Sequence, residues 1–368
     1  MVTIGAAALS QFVSDIFAAA GCSAAESERI GKYLVSANLT GHDSHGVARV
    51  PRYLAWKRDG VVTADQQVAI VRETPVLAVV DGRHGFGQTV GPQAVAIGIA
   101  KCRAMGLSLV ALKNSGHIGR IGDWAEMAAA AGLVSVHFVN ASGSVLVAPF
   151  GGSERRLSTA PFAVGVPRPG ASPIILDFAT SVVAEGKVLV ASQGGKPLPA
   201  GALIDADGHL SADPHVLYGD YSPTGPRQAG NGTGAIRAFG EHKGSGLALM
   251  CELLGGSLTG MQATGASGAG PDRFRGNGML SFYVDPAVVD AEAIFTDDVA
   301  RYVAFVKSAK PAAAGGEVLV PGEPEERMRQ HRLQEGVPLP DDTWASIVAA
   351  AREAGVDERR IQAAAARP

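Results

Sequence analysis

A strand–helix–strand run between residues 107 and 139 constrains the fold of this chain more than any other feature. Residues 107–112 form a short apolar run typical of a buried strand, 123–131 follow a helical pattern, and 133–139 are again strand-like. Parallel strands need a crossover connection, which is usually a helix. The run therefore predicts an α/β fold whose sheet contains parallel strands.

Amphipathic helices are predicted near both ends of the chain. Apolar side chains recur at three- and four-residue steps, which is typical of a helix with one buried face. Ser23 and Glu26 have the spacing of a capping box, in which each side chain bonds the backbone N–H of the other residue. We expect the C-terminal helices to pack against the N-terminal ones. The predicted helices are 6–20, 24–39, 325–334 and 341–354.

The rest of the chain alternates between strand and helix patterns. Two β-branched runs, 68–71 and 76–80, are separated by a turn and predict a hairpin. Two stretches rich in Gly, Pro and polar residues, 221–234 and 263–278, resemble loops that act as lids or lack regular structure. Further strands are predicted at 162–166, 174–177 and 279–284, and further helices at 89–104, 182–191 and 243–259.

Composition excludes several classes of protein. The 368 residues carry a net charge of −3 with a pI of about 6.3, which does not provide the basic surface that nucleic-acid binding requires. Cys22, Cys102 and Cys251 lie far apart and predict neither disulfides nor a zinc cluster. No signal peptide or membrane span is recognised. We expect a cytoplasmic protein with no nucleic-acid or membrane partner.

The stretch 41–46 concentrates chemically active groups, with His42, Asp43, Ser44 and His45 in succession. A third helix is predicted from Asp43 or Ser44 to about residue 59, which puts His45 in its first turn and Arg49 on the same face. Histidine exchanges protons near neutral pH, and a guanidinium matches a carboxylate. This pair suits oxidation of a 2-hydroxy acid. The alternatives are a polar helix cap and a metal site.

Three further polar segments lie at predicted strand or helix ends. Residues 113–120, which include His117, follow a strand at the edge where parallel sheets bind ligands. Residues 174–181 carry Asp177 at a strand end, and 239–247 place Lys243 among glycines at a helix start. Each also has a simpler interpretation, as a polar loop, a helix cap and a glycine-tightened turn respectively.

Several standard site patterns fail. Residues 85–90 come near the dinucleotide fingerprint G-x-G-x-x-G, but Val90 occupies the third glycine position. Lys243 lacks the spacing of a nucleotide P-loop. His42, Asp43 and His45 could serve a metal-dependent hydrolase, although no further ligand is evident nearby and we expect no metal. A non-catalytic binding protein is a further alternative.

Taken in order, these blocks resemble the malate/L-lactate dehydrogenase family, a non-Rossmann group of NAD(P)-dependent 2-hydroxyacid oxidoreductases. The resemblance covers nearly the whole chain. One departure is Ala160, where the family often has Asn. The residues that carry the resemblance are 41–46, 114–122, 148–152, 176–181, 241–244 and 319–323.

The resemblance implies a fold and an assembly. It implies an α/β fold with a non-Rossmann mixed β-sheet core wrapped by helices, and a helical lobe built from both termini. Residues 1–64 with 322–368 would form this lobe, and 65–321 would form the α/β core with an NAD(P)-binding cleft. The family also implies a homodimer.

The resemblance assigns roles to residues. His45, with Ser44 beside it, would exchange the substrate proton, His117 matches the acid position of another branch, and Arg49 would hold the substrate carboxylate. The implied cofactor contacts are His45, Gly119, Asn140, Ala141, Ser142, Ile175, Leu176, Asp177, Phe178, Ala179, Thr180, His242, Lys243, Gly244, Gly322, Glu323, Pro324 and Glu325.

The predicted activity is hydride transfer between NAD, or alternatively NADP, and the α-carbon of a small 2-hydroxy or 2-keto acid. Reduction of a cyclic imino acid is an alternative within the same family. A metal-dependent hydrolase is a more remote one.

Overall fold

The computed structural model describes residues 1–194, 196–222, 227–265 and 276–365. The two predicted loops, 221–234 and 263–278, lie partly outside the described residues, and a role for them stays untested.

Helices and strands alternate along the chain. The strands are β1 (Val2–Ile4), β2 (Ala69–Glu73), β3 (Leu77–Asp81), β4 (Leu107–Ser115), β5 (Val134–Val139), β6 (Val147–Ala148), β7 (Pro161–Val166), β8 (Ile174–Ala179), β9 (Leu203–Ile204), β10 (Leu210–Ser211), β11 (Ala235–Arg237), β12 (Asn277–Val284) and β13 (Val337–Leu339). The α-helices are α1 (Ala6–Ala19), α2 (Ala24–Leu39), α3 (Val50–Arg58), α4 (Gly87–Met105), α5 (Gly122–Ala130), α6 (Glu185–Ser192), α7 (His215–Tyr218), α8 (His242–Cys251), α9 (Pro286–Val289), α10 (Phe295–Lys307), α11 (Glu323–Glu335), α12 (Asp341–Ala354) and α13 (Glu358–Ala365).

A seven-stranded mixed sheet has the order β2-β3-β4-β12-β5-β7-β8. The predicted hairpin is confirmed, because β2 pairs antiparallel with β3. Strand β3 then pairs parallel with β4. The predicted strand–helix–strand run is found as β4, α5 and β5, with β12 lying between the two strands in the sheet. The predicted mixed α/β fold is confirmed.

The two ends of the chain meet in one structure. Strand β1 pairs antiparallel with β13, with Val2 opposite Leu339 and Ile4 opposite Val337. One hydrophobic core joins apolar side chains of α1 and α2, such as Phe12 and Ile30, to Ile347 of α12. This confirms a helical lobe built from both termini. The predicted domain boundaries, 1–64 with 322–368 against 65–321, stay a prediction.

The chain divides into two compact units. The first consists of Met1–His137, Ala163–Asp177 and Ser281–Pro368. The second consists of Phe138–Phe162 and Phe178–Leu280. The second unit has its own four-stranded sheet, β10-β9-β11-β6, and its own apolar core.

Local predictions differ in accuracy. Ser23 caps α2 as expected, because its Oγ accepts from Glu26 N at 3.3 Å. The predicted return bond, from the backbone N–H of Ser23 to the Glu26 side chain, is wrong. The Glu26 carboxylate instead accepts from Asp65 N at 2.6 Å. The predicted helix 243–259 is α8 followed by a π-helical turn at Glu252–Ser257. Over the described ranges, no helix is both long and apolar enough to span a membrane.

Candidate active site

The segment that carries His45 is not the regular helix that was predicted. Two separate 3₁₀ turns, Asp43–His45 and Val47–Arg49, precede α3, which begins only at Val50. His45 is therefore not in the first turn of an α-helix, and the helical spacing that was expected to align it with Arg49 is wrong. Instead, Arg49 Nε donates to the backbone carbonyl of Ser44 at 2.6 Å, which folds its side chain back along the segment.

Asp43 holds this segment in place. Its carboxylate accepts from Arg332 Nη1 at 2.7 Å and Nη2 at 3.1 Å, and from Asn38 Nδ2 at 2.6 Å. Asn38 Oδ1 in turn accepts from Val47 N at 2.8 Å. Because its carboxylate is engaged by an arginine and an amide, Asp43 fits a structural role better than that of a metal ligand or a hydrolytic base.

The metal hypothesis for His42, Asp43 and His45 finds no support in geometry. Within the residues that the structure describes, the one group of side chains close enough to share an ion is Asp205, Asp207 and His209, in the turn between β9 and β10. The Asp205 carboxylate already accepts from the backbone N–H groups of Asp207 and His209, as in an ordinary turn.

His117 lies in the loop after β4, and α4 fixes this loop. A Cβ added to Gly87 in the first turn of α4 would lie 2.3 Å from the backbone oxygen of His117. Only glycine permits so close an approach. Asn114, at the end of β4, has a left-handed backbone with φ of 51°, and its amide donates to the Asp81 carboxylate. The loop is thereby held on both sides of His117.

His45 and His117 stack on each other. Their ring centroids lie 5.3 Å apart, and the ring planes are inclined by only 13°. His45 Nδ1 is buried and has no hydrogen-bond partner. A buried nitrogen without a protein partner can still bond a ligand or a water molecule. The two histidines, which are 72 positions apart in the sequence, thus form one candidate site.

Both imidazoles are held neutral. Burial lowers the pKa of His45 to about 3, and Arg49, His42 and Arg120 add to this effect. Burial also lowers the pKa of His117 well below its usual range, aided by Arg49, His45 and Arg52. Cations beside neutral imidazoles create a site that attracts an anion while leaving ring nitrogens free to exchange a proton.

Three residues of this site were missed at the sequence level. Tyr53 Oη lies 2.6 Å from His117 Nδ1, and Gln88 Nε2 lies 3.0 Å from Tyr53 Oη. Arg52 contributes positive charge near His117. Tyr53 lies eight residues after His45, and Gln88 lies inside the glycine-rich stretch that fails as a dinucleotide fingerprint. Neither position carries a recognisable motif, so only the structure could identify them.

A second polar cluster in the same unit surrounds Arg120, which is 2% exposed. Arg120 Nη1 lies 3.1 Å from Asp123 and 2.7 Å from Glu126, and Arg120 Nε lies 3.6 Å from Asp177. Asp177 also accepts from Gly122 N at 2.8 Å. Its carboxylate, predicted to contact the cofactor, is therefore used within the protein.

The other predicted cofactor residues of the first unit lie in three segments. Gly119 lies in the His117 loop beside Gln88. Ile175 and Leu176 lie on β8, and Ile175 N donates to Pro321 O at 3.2 Å. Glu323, Pro324 and Glu325 form the first turn of α11, where the Glu323 carboxylate accepts from Lys307 Nζ and from Val320 N.

The predicted cofactor residues of the second unit are mostly engaged in internal contacts. Asn140 Nδ2 donates to Gln262 O at 3.0 Å, and Asn140 Oδ1 accepts from Gly278 N at 2.8 Å. Thr180 Oγ1 donates to Ala160 O at 2.8 Å. The remaining members are Ala141 and Ser142, whose backbone bonds to Thr264 and Gly276, and Phe178 and Ala179 at the end of β8, where Phe178 packs on Phe162 and Phe239.

One feature of the second unit fits a dinucleotide cofactor. His242 and Lys243 are exposed at the start of α8, a ten-residue helix, where a cation and the helix dipole together favour phosphate oxygens. Gly244 follows them in the same turn. In the first unit, Gly322 has a left-handed backbone with φ of 94°, and a Cβ there would lie 3.1 Å from Ile175 N. That side of Gly322 is filled by the backbone around β8, so the close approach and the positive φ both favour glycine here.

Comparison with known proteins agrees with this geometry. Residues 4–348 match the family model of malate/L-lactate dehydrogenase. Hydroxycarboxylate dehydrogenase B of Escherichia coli O157:H7 is 39% identical over 96% of this chain and 95% of its own length. Among solved structures, malate dehydrogenase from Pyrococcus horikoshii OT3 is 26% identical with a TM-score of 0.84, covering 97% of this chain and 96% of that one.

A relative with a different named activity has the same fold. Delta1-piperideine-2-carboxylate reductase from Pseudomonas syringae pvar. tomato is 27% identical with a TM-score of 0.77, and the match covers 95% of this chain and all of that one. The family match over most of the chain nevertheless decides the assignment. The chain belongs to the malate/L-lactate dehydrogenase family and is an NAD(P)-dependent 2-hydroxyacid dehydrogenase of that family.

Proposed function

We propose that the chain transfers a hydride reversibly between NAD(P) and the α-carbon of a small malate- or lactate-like 2-hydroxy or 2-keto acid. The observation that carries this proposal is the stacked pair of neutral imidazoles, His45 and His117, beside Arg49. A 2-hydroxy acid offers one proton to exchange and one carboxylate to hold, and the site has a group for each.

The roles follow from charge and position. His45 exchanges the hydroxyl proton, with Ser44 beside it and His117 stacked on it. Arg49 holds the substrate carboxylate, since its guanidinium can bond two oxygens at once. The nicotinamide, when bound, accepts or returns the hydride. The protein fixes the geometry in which these events occur together.

Two groups of residues are proposed to bind the cofactor. The exposed side chains of His242 and Lys243 would contact the phosphates, which is supported by their position at a helix start. Gly322 and the first turn of α11 are proposed as further contacts on the family resemblance alone. The other contacts implied by family resemblance stay part of the proposal, as does the assignment of the cleft to residues 65–321. We favour NAD, with NADP possible.

A panel of substrates and cofactors tests the proposed function. The panel would combine malate, lactate, sulfolactate and their keto acids with each dinucleotide, and turnover would be followed through reduced nicotinamide absorbance. We expect turnover of at least one hydroxy acid and its keto acid with the same cofactor. No turnover of any of them, with cofactor binding intact, would overturn the proposal.

Reduction of a cyclic imino acid is a second candidate, supported by the fold shared with the piperideine-carboxylate reductase. Such a substrate also offers a carboxylate to Arg49, but its nitrogen is protonated instead of an oxygen. Adding cyclic imines to the same panel separates the two activities. A turnover number for an imine far above that for every keto acid would favour the reductase.

We infer that the protein forms a homodimer through the exposed face of α8 and the turn after it. Leu249, Met250, Leu253 and Leu258 are all exposed there. Glu252 is the only charged residue between positions 244 and 265, and it is buried. An uncharged apolar face can pair with a copy of itself across a two-fold axis.

Light scattering after gel filtration tests this assembly. Leu253→Glu should shift the mass from dimer to monomer, because two charges would face each other without partners. Leu210→Glu, on the exposed strand β10, is the matched control and should leave the mass unchanged. A wild-type monomer, or a Leu253→Glu dimer, would contradict the inference.

A further inference from the structure

Tyr53 and Gln88 lie behind His117 and are almost completely buried. Tyr53 belongs to α3 and Gln88 to the first turn of α4, and each is 1% exposed. Tyr53 Oη lies 2.6 Å from His117 Nδ1. Gln88 Nε2 lies 3.0 Å from Tyr53 Oη and 3.3 Å from the backbone oxygen of His117. These contacts determine which atom donates each hydrogen.

The orientation of the Gln88 amide is fixed by the backbone. The carbonyl of His117 can only accept a hydrogen bond, so Gln88 must turn its NH₂ group toward it. The second hydrogen of this NH₂ group then points to the Tyr53 oxygen, which accepts it. The hydroxyl hydrogen of Tyr53 remains free to donate elsewhere.

Two acceptors are near the Tyr53 hydroxyl, at very different distances. His117 Nδ1 lies 2.6 Å away, while the His117 backbone oxygen lies 3.4 Å away. Only the first distance suits an O–H donor. Burial raises the pKa of Tyr53 to about 12, so the phenol keeps its hydrogen. Tyr53 therefore donates to Nδ1, and Nδ1 carries no proton.

A neutral imidazole that accepts at Nδ1 carries its proton at Nε2. We propose that Tyr53, oriented by Gln88, is a positioning residue that keeps His117 in the Nε2–H form, so that His117 donates a hydrogen bond to the substrate oxygen while His45 exchanges the proton. This inference rests on the proposed function. A neutral histidine with a lowered pKa is known to polarise a carbonyl in this way.

The division of roles balances the chemistry. In the oxidation direction the O–H bond of the substrate breaks and its proton goes to His45. The α-carbon C–H bond breaks and its hydrogen leaves with both electrons to the nicotinamide, while the C=O double bond forms. His117 donates a hydrogen bond to this oxygen throughout and loses no proton. Its tautomer therefore stays the same through the cycle.

Nitrogen-15 NMR of histidine-labelled protein tests the tautomer without any need for turnover. The His117 signals can be assigned by their loss in His117→Gln. In the wild type we expect Nδ1 to resonate as an unprotonated, hydrogen-bonded nitrogen and Nε2 as a protonated one. A wild-type protein with the proton on Nδ1 would overturn the proposal.

Two variants act on the tautomer in different ways. Tyr53→Phe removes the donor, so both tautomers should become populated, and kcat should fall by about 10–100-fold, by analogy with the loss of an outer hydrogen-bond partner of a metal-bound histidine. The KM of the hydroxy acid should stay unchanged. Gln88→Glu replaces the amide donor by an acceptor, which should turn the Tyr53 hydrogen away and move the His117 proton to Nδ1.

A buried tyrosine elsewhere serves as the control. Tyr218→Phe also removes a hydroxyl from a core position, 1% exposed, in the second unit, and should leave the His117 signals unchanged. If Tyr53→Phe and Gln88→Glu both left the tautomer unchanged, the proposal would fail. If the tautomer behaved as expected but no hydroxy acid were turned over, the proposed function would fail while the tautomer assignment held.

Discussion

Two buried polar clusters in the first unit differ in the way their charges are balanced. Around Arg120, three carboxylates and a guanidinium lie in direct contact, and every carboxylate has a cationic partner. Around His45 and His117 the titratable rings are neutral, and the neighbouring charges, Arg49 and Arg52, are both positive. The closed charged cluster, in which carboxylates balance the guanidinium, fits a structural role, while the histidine pair beside unbalanced cations fits an anionic ligand.

Loss of Arg120 should have the largest effect on stability. Arg120→Met keeps the apolar stem but leaves Asp123, Glu126 and Asp177 without their shared cation. Removing one partner from a buried ion cluster costs about 3–5 kcal/mol. We expect the free energy of unfolding, measured in urea, to fall by that amount.

Arg329→Met is the matched comparison for this variant. Arg329 pairs with the same Glu126 carboxylate, but its side chain is 29% exposed, so water can replace it. Its loss should cost much less than that of Arg120. Equal losses for the two variants would contradict the structural role assigned to the closed cluster.

A third histidine, His137, is also buried and neutral, but no catalytic role is assigned to it. It is fully buried between Ser281 Oγ at 2.8 Å and Ser135 Oγ at 3.0 Å, and burial lowers its pKa from 6.5 to about 3. The unfolded chain therefore binds a proton below pH 6.5 that the folded protein does not bind. Stability is lost as pH falls from 6.5 toward 3, by about 2 kcal/mol from this residue at pH 5.

Unfolding of His137→Phe at pH 7 and pH 5 measures this contribution. The variant loses stability at both values, because two serine hydroxyls lose their partner, but its loss between pH 7 and 5 should be smaller than that of the wild type. The wild type and the variant must be compared, because other groups also change stability over this pH range. Burial raises the pKa of Asp123 to about 6, so this residue stabilises the folded protein as the pH falls, in both proteins. Identical pH dependence would contradict the assignment for His137.

Surface ion pairs should show the smallest effect. Arg352 and Glu358 lie 2.7 Å apart, with side chains 58% and 50% exposed. Exposed pairs contribute little to stability, because water screens the two charges. Arg352→Gln should therefore lower the free energy of unfolding far less than Arg120→Met does, and the change should shrink further in high salt. A loss comparable to that of Arg120→Met would show that burial is not what distinguishes the clusters.

Local structure could largely be predicted from the sequence. Helices α2 and α12 were predicted with the residue bounds that the structure has, because their capping and periodicity signals lie within the helices themselves. The error at Glu26 has a tertiary cause, since its carboxylate bonds Asp65 N, 39 positions away. The position of β12 between β4 and β5 is another long-range feature that no local pattern encodes.

The candidate site could be predicted only in part, because its arrangement also depends on long-range contacts. His45, His117 and Arg49 lie in recognisable polar blocks, but their alignment on a regular helix was wrong, because Asn38 and Arg332 bind Asp43 and break the segment into 3₁₀ turns. Arg332 is 289 positions from Asp43. Tyr53 and Gln88 match no motif in the sequence, and only their distances to His117 reveal a role.

Single-turnover kinetics of His45→Ala tests the central claim most directly. With a substrate identified by the panel and with saturating cofactor, hydride transfer should slow by about 10²–10⁴-fold, because a positioned acid or base is lost. The Kd of the dinucleotide should stay close to that of the wild type, and His209→Ala, a surface histidine, should transfer hydride normally. Hydride transfer by His45→Ala at the wild-type rate would contradict the role assigned to the histidine pair.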